Sequence, residues 1–316
     1  MSELFKWLSK AEAKSPGIQQ AQVLKGDFRA AAAYEPDSSL EIAPTQAAVP
    51  SWTKFNLDIA DPKIKAVLDP QTLPGEQFRF LRTRLAQLQH KQGLKNLLIT
   101  SSVPGEGKTF ISCCLAGILA QEPGKRVLLV DVDFRRPRTA QSLGIEVSNE
   151  LPGLSQVLQG SHKLEDVLLC SSNDDFFYLP AGPTPGNPSE LLASYNLERA
   201  IQEMSALFDW MIIDSPPVLT IADSLRMATL CDSVLMVVLA NKTPAKLVQK
   251  AIQMVGKSHI CGTVLNRVPI TGSSHYYYHY YSADGGNSNG NGDGKGRHSS
   301  HKRAWWKRLP LLEKKD

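Results

Sequence analysis

The chain has 316 residues, and 35 lysines and arginines against 31 aspartates and glutamates leave a net charge of +4. A charge this small gives no reason to expect a nucleic-acid-binding protein, and the length allows one large or two small domains. No apolar run approaches the ~18 residues of a membrane span and no signal peptide is recognisable, so we expect a soluble chain.

The first part of the chain predicts little packed structure. Residues 1–70 are rich in alanine and interrupted by prolines, which is typical of a poorly packed arm. The pattern then changes, and Glu76 to Gln89 predicts a helix. We therefore set residues 1–65 apart as an N-terminal arm, poorly ordered or partner-binding, and begin the folded domain at residue 66.

Apolar runs of strand length follow, with helical patterns between several of them. They span residues 96–100, 126–132, 209–214, 233–239 and 260–265. Continuous apolar strands that alternate with helices indicate a parallel sheet with both faces covered and the ligand at the carboxyl ends of the strands. The sequence therefore predicts an α/β fold with a mostly parallel sheet flanked by helices on both faces.

A glycine-rich loop follows the first of these runs. Residues 102–109 read Ser-Val-Pro-Gly-Glu-Gly-Lys-Thr, which is the phosphate-loop pattern except that the first position is Ser102 where the strict pattern has Gly. In such a loop the backbone N–H groups converge on phosphate oxygens, the lysine adds a charge and the threonine hydroxyl can ligate Mg²⁺. The fold is therefore expected to be P-loop NTPase-like and to bind ATP or GTP. The expected nucleotide-binding residues of the loop are Pro104, Gly105, Glu106, Gly107, Lys108 and Thr109.

Two of the later apolar runs end in carboxylates. Asp131 and Asp133 close one run, and Asp214 closes another. An acid after a strand is often only a helix N-cap, but three acids near one phosphate loop suit Mg²⁺, which takes a hydroxyl and one or two carboxylates. We predict Thr109, Asp131 and Asp214 as metal ligands, although the sequence does not decide which acid bonds the metal.

These motifs together resemble the bacterial protein-tyrosine kinases (BY-kinases) of capsule and exopolysaccharide synthesis. Residues 101–109, 130–137 and 212–217 look like the three nucleotide motifs of that family, in the same order. The resemblance covers residues 66–281. It implies a cytoplasmic enzyme that uses ATP and Mg²⁺ to phosphorylate tyrosine and that regulates the polymerisation and export of a polysaccharide.

The resemblance also assigns roles to single residues. It implies that Lys108, Asp131 and Asp133 are catalytic and that Asn266 contacts the nucleotide. Asp131 is the candidate for orienting or deprotonating the tyrosine hydroxyl, and Asp133 is the alternative.

Five tyrosines stand in six positions after the last predicted strand. They are Tyr276, Tyr277, Tyr278, Tyr280 and Tyr281. The family uses such a cluster as its own substrate, which implies autophosphorylation in trans within an oligomer. An aromatic edge strand is the alternative, but neighbouring glycines and serines favour a flexible segment. We therefore divide the chain into a kinase domain, 66–272, and a tyrosine cluster, 273–282.

The helix predicted at the start of the domain carries Glu76, Arg79 and Arg82 at three-residue steps along one side. Intrahelical ion pairing is one interpretation. The spacing is also similar to the oligomerisation motif of the family, which implies a ring-like homo-oligomer. The family further implies a separate membrane-spanning co-polymerase or activator, a cognate tyrosine phosphatase, and a cytoplasmic location at the inner face of the plasma membrane through that partner.

The chain departs from the family after the tyrosines, where residues 283–316 form a polar linker and a basic tail with two tryptophans. That tail is either a membrane-surface contact or simply solvated. Two other functions remain open: a partition or septum-positioning ATPase without kinase activity, and a non-enzymatic nucleotide-binding regulatory subunit. Val103 stands where the partition ATPases carry an extra lysine, which counts against the first.

Overall fold

The computed structural model describes residues 52–55, 59, 61–145, 151–172 and 175–269. The tyrosine cluster, the polar linker and the basic tail lie outside these residues, as does most of the N-terminal arm. The residues described up to Val268 belong to one unit.

An eight-stranded sheet lies at the centre of the described chain. Its strands are β1 (Thr53–Phe55), β2 (Asn96–Ser101), β3 (Val127–Asp131), β4 (Leu169–Ser171), β5 (Phe176–Leu179), β6 (Trp210–Asp214), β7 (Ser233–Leu239) and β8 (Ile260–Asn266). The order across the sheet is β1-β4-β5-β3-β6-β2-β7-β8. Neighbouring strands are parallel except for β4 and β5. The predicted fold class, a mostly parallel α/β sheet, is confirmed.

Helices connect most of these strands. Those in the described ranges are α1 (Pro62–Leu68), α2 (Leu73–Gln92), α3 (Lys108–Ala120), α4 (Thr139–Ser142), α5 (Leu154–Leu158), α6 (Leu164–Val167), α7 (Pro188–Leu192), α8 (Tyr195–Leu207), α9 (Asp223–Leu230) and α10 (Ala245–Val255). None of them combines the length and the apolar character needed to cross a bilayer.

Alternate residues of the central strands pack into two hydrophobic cores, one on each face of the sheet. Leu98 of β2 packs in one core together with Leu128 of β3. Its neighbours Leu97 and Ile99 pack in the other core. Successive side chains of a strand point to opposite faces, so a strand covered on both faces has to be apolar at consecutive positions. This requirement explains why the runs were recognisable in the sequence.

Helix α2 is longer at both ends than the predicted helix from Glu76 to Gln89. The Thr72 side chain accepts the N–H of Gly75 at 3.1 Å and caps the start of the helix. At the other end Gly93 adopts a φ of 71°, a left-handed conformation that favours glycine and ends a helix. The two caps fix the helix boundaries at Leu73 and Gln92.

The predicted N-terminal arm needs a correction, because its last part belongs to the fold. β1 pairs in parallel with β4. The predicted boundary at residue 65 falls inside α1, where Asp61 caps the first turn and Pro62 occupies its first position. Ile64 and Val67, three residues apart on one face, are buried. A helix this short is stabilised by packing more than by its own sequence, so proline content was misleading here.

Candidate active site

The phosphate loop connects the end of β2 to the start of α3. Gly105 and Gly107 have φ angles of 84° and 94°, which other residues rarely adopt. Helix α3 begins directly after Gly107, and no side chain of the described chain caps its first turn. The backbone N–H groups of that turn, at the positive end of the helix dipole, provide a site for an anion such as phosphate.

Lys108 lies in the middle of a group of carboxylates. Its Nζ is 3.1 Å from Oδ2 of Asp133, and the two side chains are only 14% and 8% exposed. Burial lowers the pKa of Lys108, but attraction to Asp214, Asp133 and Asp131 raises it by more, so the pKa lies above the ordinary 10.5. Lys108 therefore carries a positive charge at neutral pH, as a phosphate ligand must.

Asp131 and Asp214 stand side by side at the carboxyl ends of β3 and β6. They are register partners on neighbouring parallel strands, and both are buried. Burial, and then repulsion from Asp214, raises the pKa of Asp131 to about 7. Burial likewise raises the pKa of Asp214, although Lys108 opposes this. Both acids therefore hold a proton more readily than an exposed aspartate does.

Three hydroxyl groups surround the Asp214 carboxylate. Thr109 donates to its Oδ2 at 2.7 Å, and Ser112 donates to its Oδ1 at 3.1 Å. Thr139 also donates to Oδ2, at 3.3 Å. Ser112 and Thr139 were missed from the sequence. Ser112 could have been predicted, because it follows Lys108 by four residues and lies on the same face of α3. Nothing near Thr139 in the sequence indicates a contact with Asp214.

The residues present at this edge fit a magnesium ion. No group of three or more His, Cys, Asp or Glu residues capable of holding a metal occurs in the described ranges. Mg²⁺ does not need one, because it keeps several waters and takes one or two carboxylates together with substrate phosphates. The predicted ligands Thr109, Asp131 and Asp214 lie together here, and a divalent cation would offset the repulsion between the two acids.

Asp131, the last residue of β3, and Asp133 also shape the loop after that strand. Oδ1 of Asp131 accepts the N–H of Asp133 at 3.0 Å, and its Oδ2 accepts the N–H of Thr139 at 3.3 Å. Oδ1 of Asp133 accepts the N–H of Arg136 at 3.1 Å. The carboxylates are therefore held in fixed orientations beside the phosphate loop.

Arg135 ties this same loop to two helices. Its Nε lies 3.5 Å from Oδ2 of Asp223, and its Nη2 donates to the Ser189 hydroxyl at 3.0 Å. Ser189 in turn donates to Asp223 at 2.7 Å. The role of Asp223 was not recognisable in the sequence, because the three residues are far apart in the chain and are brought together only by the fold.

Asn266, the last residue of β8, contacts the phosphate loop, and its contact with nucleotide stays a prediction. Its Nδ2 donates to the Glu106 carbonyl at 2.9 Å. A Cβ built on Gly107 would lie 2.1 Å from the same nitrogen. A larger residue at this position would therefore displace the Asn266 side chain and would also have to adopt a strained φ of 94°.

The three residues predicted for oligomerisation lie on α2. Arg79 pairs with Glu76 at 3.1 Å, so the intrahelical ion pair that the sequence left open does form. Nη1 of Arg82 donates to the carbonyl of Ile118, in α3, at 3.1 Å. Contact with a second copy stays a prediction. The five clustered tyrosines lie outside the described residues.

Comparison with known proteins places this geometry in context. A family model described as "AAA domain" matches residues 95–259. Tyrosine-protein kinase YwqD of Bacillus subtilis (strain 168) is 32% identical over 213 residues, 67% of this chain and 88% of that protein. Putative tyrosine-protein kinase CapB of Staphylococcus aureus is 32% identical over 210 residues, 66% and 90%. The kinase domain of Escherichia coli tyrosine kinase ETK superposes with a TM-score of 0.59 at 30% identity, over 66% of this chain and 82% of that one.

Proposed function

The chain belongs to the bacterial tyrosine-protein kinases, and from that membership we propose that it transfers the γ-phosphate of ATP to its own C-terminal tyrosine cluster. The acceptors would be Tyr276, Tyr277, Tyr278, Tyr280 and Tyr281, presented by a neighbouring molecule. The process controlled would be the polymerisation and export of a capsule or exopolysaccharide. Membership in a kinase family favours this function over a partition-type ATPase or a non-enzymatic subunit.

The observation that carries the proposal is the grouping of one largely buried ammonium ion with three carboxylates at the phosphate loop. Lys108 Nζ lies 3.1 Å from Asp133, and Asp131 and Asp214 are paired on adjacent strands. Phosphoryl transfer needs little covalent help from a protein and depends on charge stabilisation and alignment. Lys108 and the N–H groups of the loop would stabilise the charge on the outer phosphates and align them.

Asp131 and Asp133 are proposed for the acceptor side of the reaction. A tyrosine hydroxyl has to lose its proton as the oxygen attacks, and a base works best with a pKa near the working pH. Without a metal the pKa of Asp131 is raised to about 7, which suits that task if Thr109 and Asp214 hold the metal without Asp131, whereas Asp133 is committed to its ion pair with Lys108. Asp133 then remains the alternative base, and its proposed main role is to hold Lys108.

Magnesium would be held by Thr109, Asp214 and Asp131. When bound there, Mg²⁺ neutralises charge on the phosphate oxygens. Thr109 and Asp214 already lie 2.7 Å apart through their hydroxyl and carboxylate oxygens, so the protein brings two of the oxygen donors together without rearrangement.

Intact-mass analysis after incubation with ATP and Mg²⁺ tests the reaction. Wild type should gain successive steps of ~80 Da, one for each phosphoryl group. Lys108→Met and a variant with the five clustered tyrosines changed to Phe should gain none, whereas Lys246→Met, at an exposed lysine on α10, should behave as wild type. Phosphate on the five-Phe variant would show that the acceptor lies elsewhere.

A mixing experiment tests transfer between molecules. The five-Phe variant retains the active site, and Lys108→Met retains the tyrosines. If transfer occurs in trans, Lys108→Met becomes phosphorylated only when the five-Phe variant and ATP are both present. Absence of phosphate on Lys108→Met in that mixture, with wild type active alone, would limit the reaction to transfer within one chain.

We also propose a ring-like homo-oligomer through Glu76, Arg79 and Arg82, loosened when the tyrosines are phosphorylated. Each phosphate adds about 1.5 to 2 negative charges, and several on adjacent residues repel one another. Light scattering of phosphorylated and phosphatase-treated protein checks this, and equal masses would contradict it. A separate membrane-spanning activator and a cognate tyrosine phosphatase complete the proposal and place the kinase at the inner face of the plasma membrane.

A further inference from the structure

Glu106 is an unusual residue to find inside a phosphate loop. Its side chain is buried, with only 1% of the residue exposed, while the preceding Pro104 and Gly105 are exposed. A buried carboxylate is costly unless hydrogen bonds satisfy it. A negative charge close to a phosphate site also opposes the binding of an anion. The backbone N–H of Glu106 is expected to bind phosphate, but this role does not need a carboxylate side chain. The buried carboxylate therefore requires an explanation of its own.

The Glu106 carboxylate joins two segments that are distant in sequence. Its Oε2 accepts the N–H of Val103 at 2.9 Å, within the phosphate loop itself. Its Oε1 accepts the N–H of Leu239, the last residue of β7, at 3.2 Å. The same Oε1 accepts the hydroxyl of Thr243, in the turn between β7 and α10. Three donors thus stabilise the charge, and the loop is fastened to the end of β7.

The Glu106 backbone is held from a third direction. The Asn266 side chain donates to its carbonyl at 2.9 Å, and the next residue, Gly107, has a φ of 94°. The peptide group between Glu106 and Gly107 is therefore held by the end of β8, while the Glu106 side chain is held by the end of β7. In a phosphate loop, the N–H of such a peptide group would have to point at phosphate oxygens.

From these contacts we infer that Glu106 is a positioning residue, which holds the phosphate loop in its nucleotide-binding shape by bonding to Val103, Leu239 and Thr243. Its carboxylate does not touch the phosphates. It restricts the conformations of the loop before the nucleotide binds, so the entropy lost in ordering the loop does not weaken nucleotide binding. The inference deepens the proposed kinase function, on which it rests, by identifying what shapes the nucleotide site.

Three substitutions test the role of the carboxylate. Glu106→Gln keeps the size of the side chain but replaces one accepting oxygen by an NH₂ group that faces donors. Thr243→Val removes one donor and keeps the shape. Thr243→Ser keeps the hydroxyl. Thr229→Val serves as the control, because Thr229 is exposed and its hydroxyl donates to a carbonyl in its own helix, α9.

The measurements are the Kd for ATP with Mg²⁺ by calorimetry, KM and kcat for autophosphorylation, and the Tm of the nucleotide-free protein. Hydrogen bonds to a charged group are typically strong enough that losing one weakens a linked equilibrium about tenfold or more. We expect Kd and KM to rise about tenfold in Glu106→Gln and Thr243→Val, with a much smaller change in kcat. Thr243→Ser should recover most of the affinity, and Thr229→Val should match wild type.

Two results would overturn the inference. One is unchanged ATP affinity in both Glu106→Gln and Thr243→Val. The other is a lower Tm in these variants without a change in Kd or KM, since the carboxylate would then stabilise the fold and not the site. Because Kd is measured directly, wild-type protein that binds ATP but forms no phosphotyrosine would contradict the proposed function alone.

Discussion

Replacing Asp131 by Asn should change how the stability of the nucleotide-free protein depends on pH. Asp131 is fully buried next to Asp214, and burial and repulsion raise its pKa from 3.8 to about 7. A group with a raised pKa in the folded state stabilises the fold when protonated. Its contribution is complete below pH 3.8 and is lost as the pH rises through about 7.

The size of the effect follows from the same two values. The folded state shifts the pKa of Asp131 from 3.8 to about 7. At 1.36 kcal/mol for each pH unit, the protonated group adds about 4 kcal/mol to the free energy of unfolding. Between pH 5 and pH 8 the wild-type protein loses about 2 to 3 kcal/mol of this stabilisation. Asn has no proton to lose. The free energy of unfolding of Asp131→Asn, relative to wild type, should therefore rise by that amount over this range.

Urea denaturation in the presence of EDTA, without nucleotide, measures this at pH 5, 6, 7 and 8. Asn also disturbs the two backbone hydrogen bonds that Asp131 accepts, so its absolute stability is less informative than the trend with pH. Glu165→Gln, at a side chain that is 51% exposed, is the control and should show a flat difference. A flat difference for Asp131→Asn as well would refute the reasoning.

Three further predictions follow from the packing. Gly107→Ala should abolish ATP binding, because its Cβ would lie 2.1 Å from the Asn266 side chain at a φ of 94°. Gly124→Ala, with a φ of 75° and open space around it, should lower the free energy of unfolding by only about 1 to 2 kcal/mol and leave ATP binding intact. Equal ATP affinities of the two variants in calorimetry would contradict this. Leu98→Ala, at a fully buried position in β2, should lower the free energy of unfolding, measured in urea, by about 2 to 5 kcal/mol. A loss below 1 kcal/mol would show that neighbouring side chains fill the cavity left by the leucine. Burial raises the pKa of the thiols of Cys113 and Cys114, so a thiol reagent at pH 8 should label them only after unfolding, and rapid labelling of the native protein would argue against their burial.

The central sheet and the phosphate loop were predictable because their sequence requirements are local. The run predicted at residues 233–239 coincides with β7, and the run at 96–100 lacks only the last residue of β2. Strands buried on both faces have to be apolar at consecutive positions, and the phosphate loop needs its glycines next to its lysine. The resemblance to the bacterial tyrosine-protein kinases, which was carried by these same segments, is confirmed.

The parts that escaped prediction depend on contacts between distant segments. β4 and β5 have only three and four residues, too few to show a period. β1 and α1 were taken for part of a loose arm because their order comes from packing on the sheet. Nothing near Glu106 in the sequence indicates that its carboxylate bonds to Thr243, which lies 137 positions later. Roles of this kind are set by the fold and leave no pattern in the neighbouring residues.

The closure of the phosphate loop by β7 and β8 has a consequence for the order in which the chain matures during synthesis. Glu106 meets Thr243 and Asn266 across separations of 137 and 160 residues, so the loop leaves the ribosome long before its supports do. Contacts this distant in sequence form late in folding. A nascent chain that ends before β8 is therefore expected to bind ATP poorly. Binding competence would arise only once Asn266 has emerged, when the tyrosine segment is the next part of the chain to appear, and ATP binding by stalled chains ending at residues 239 and 316 would measure this directly.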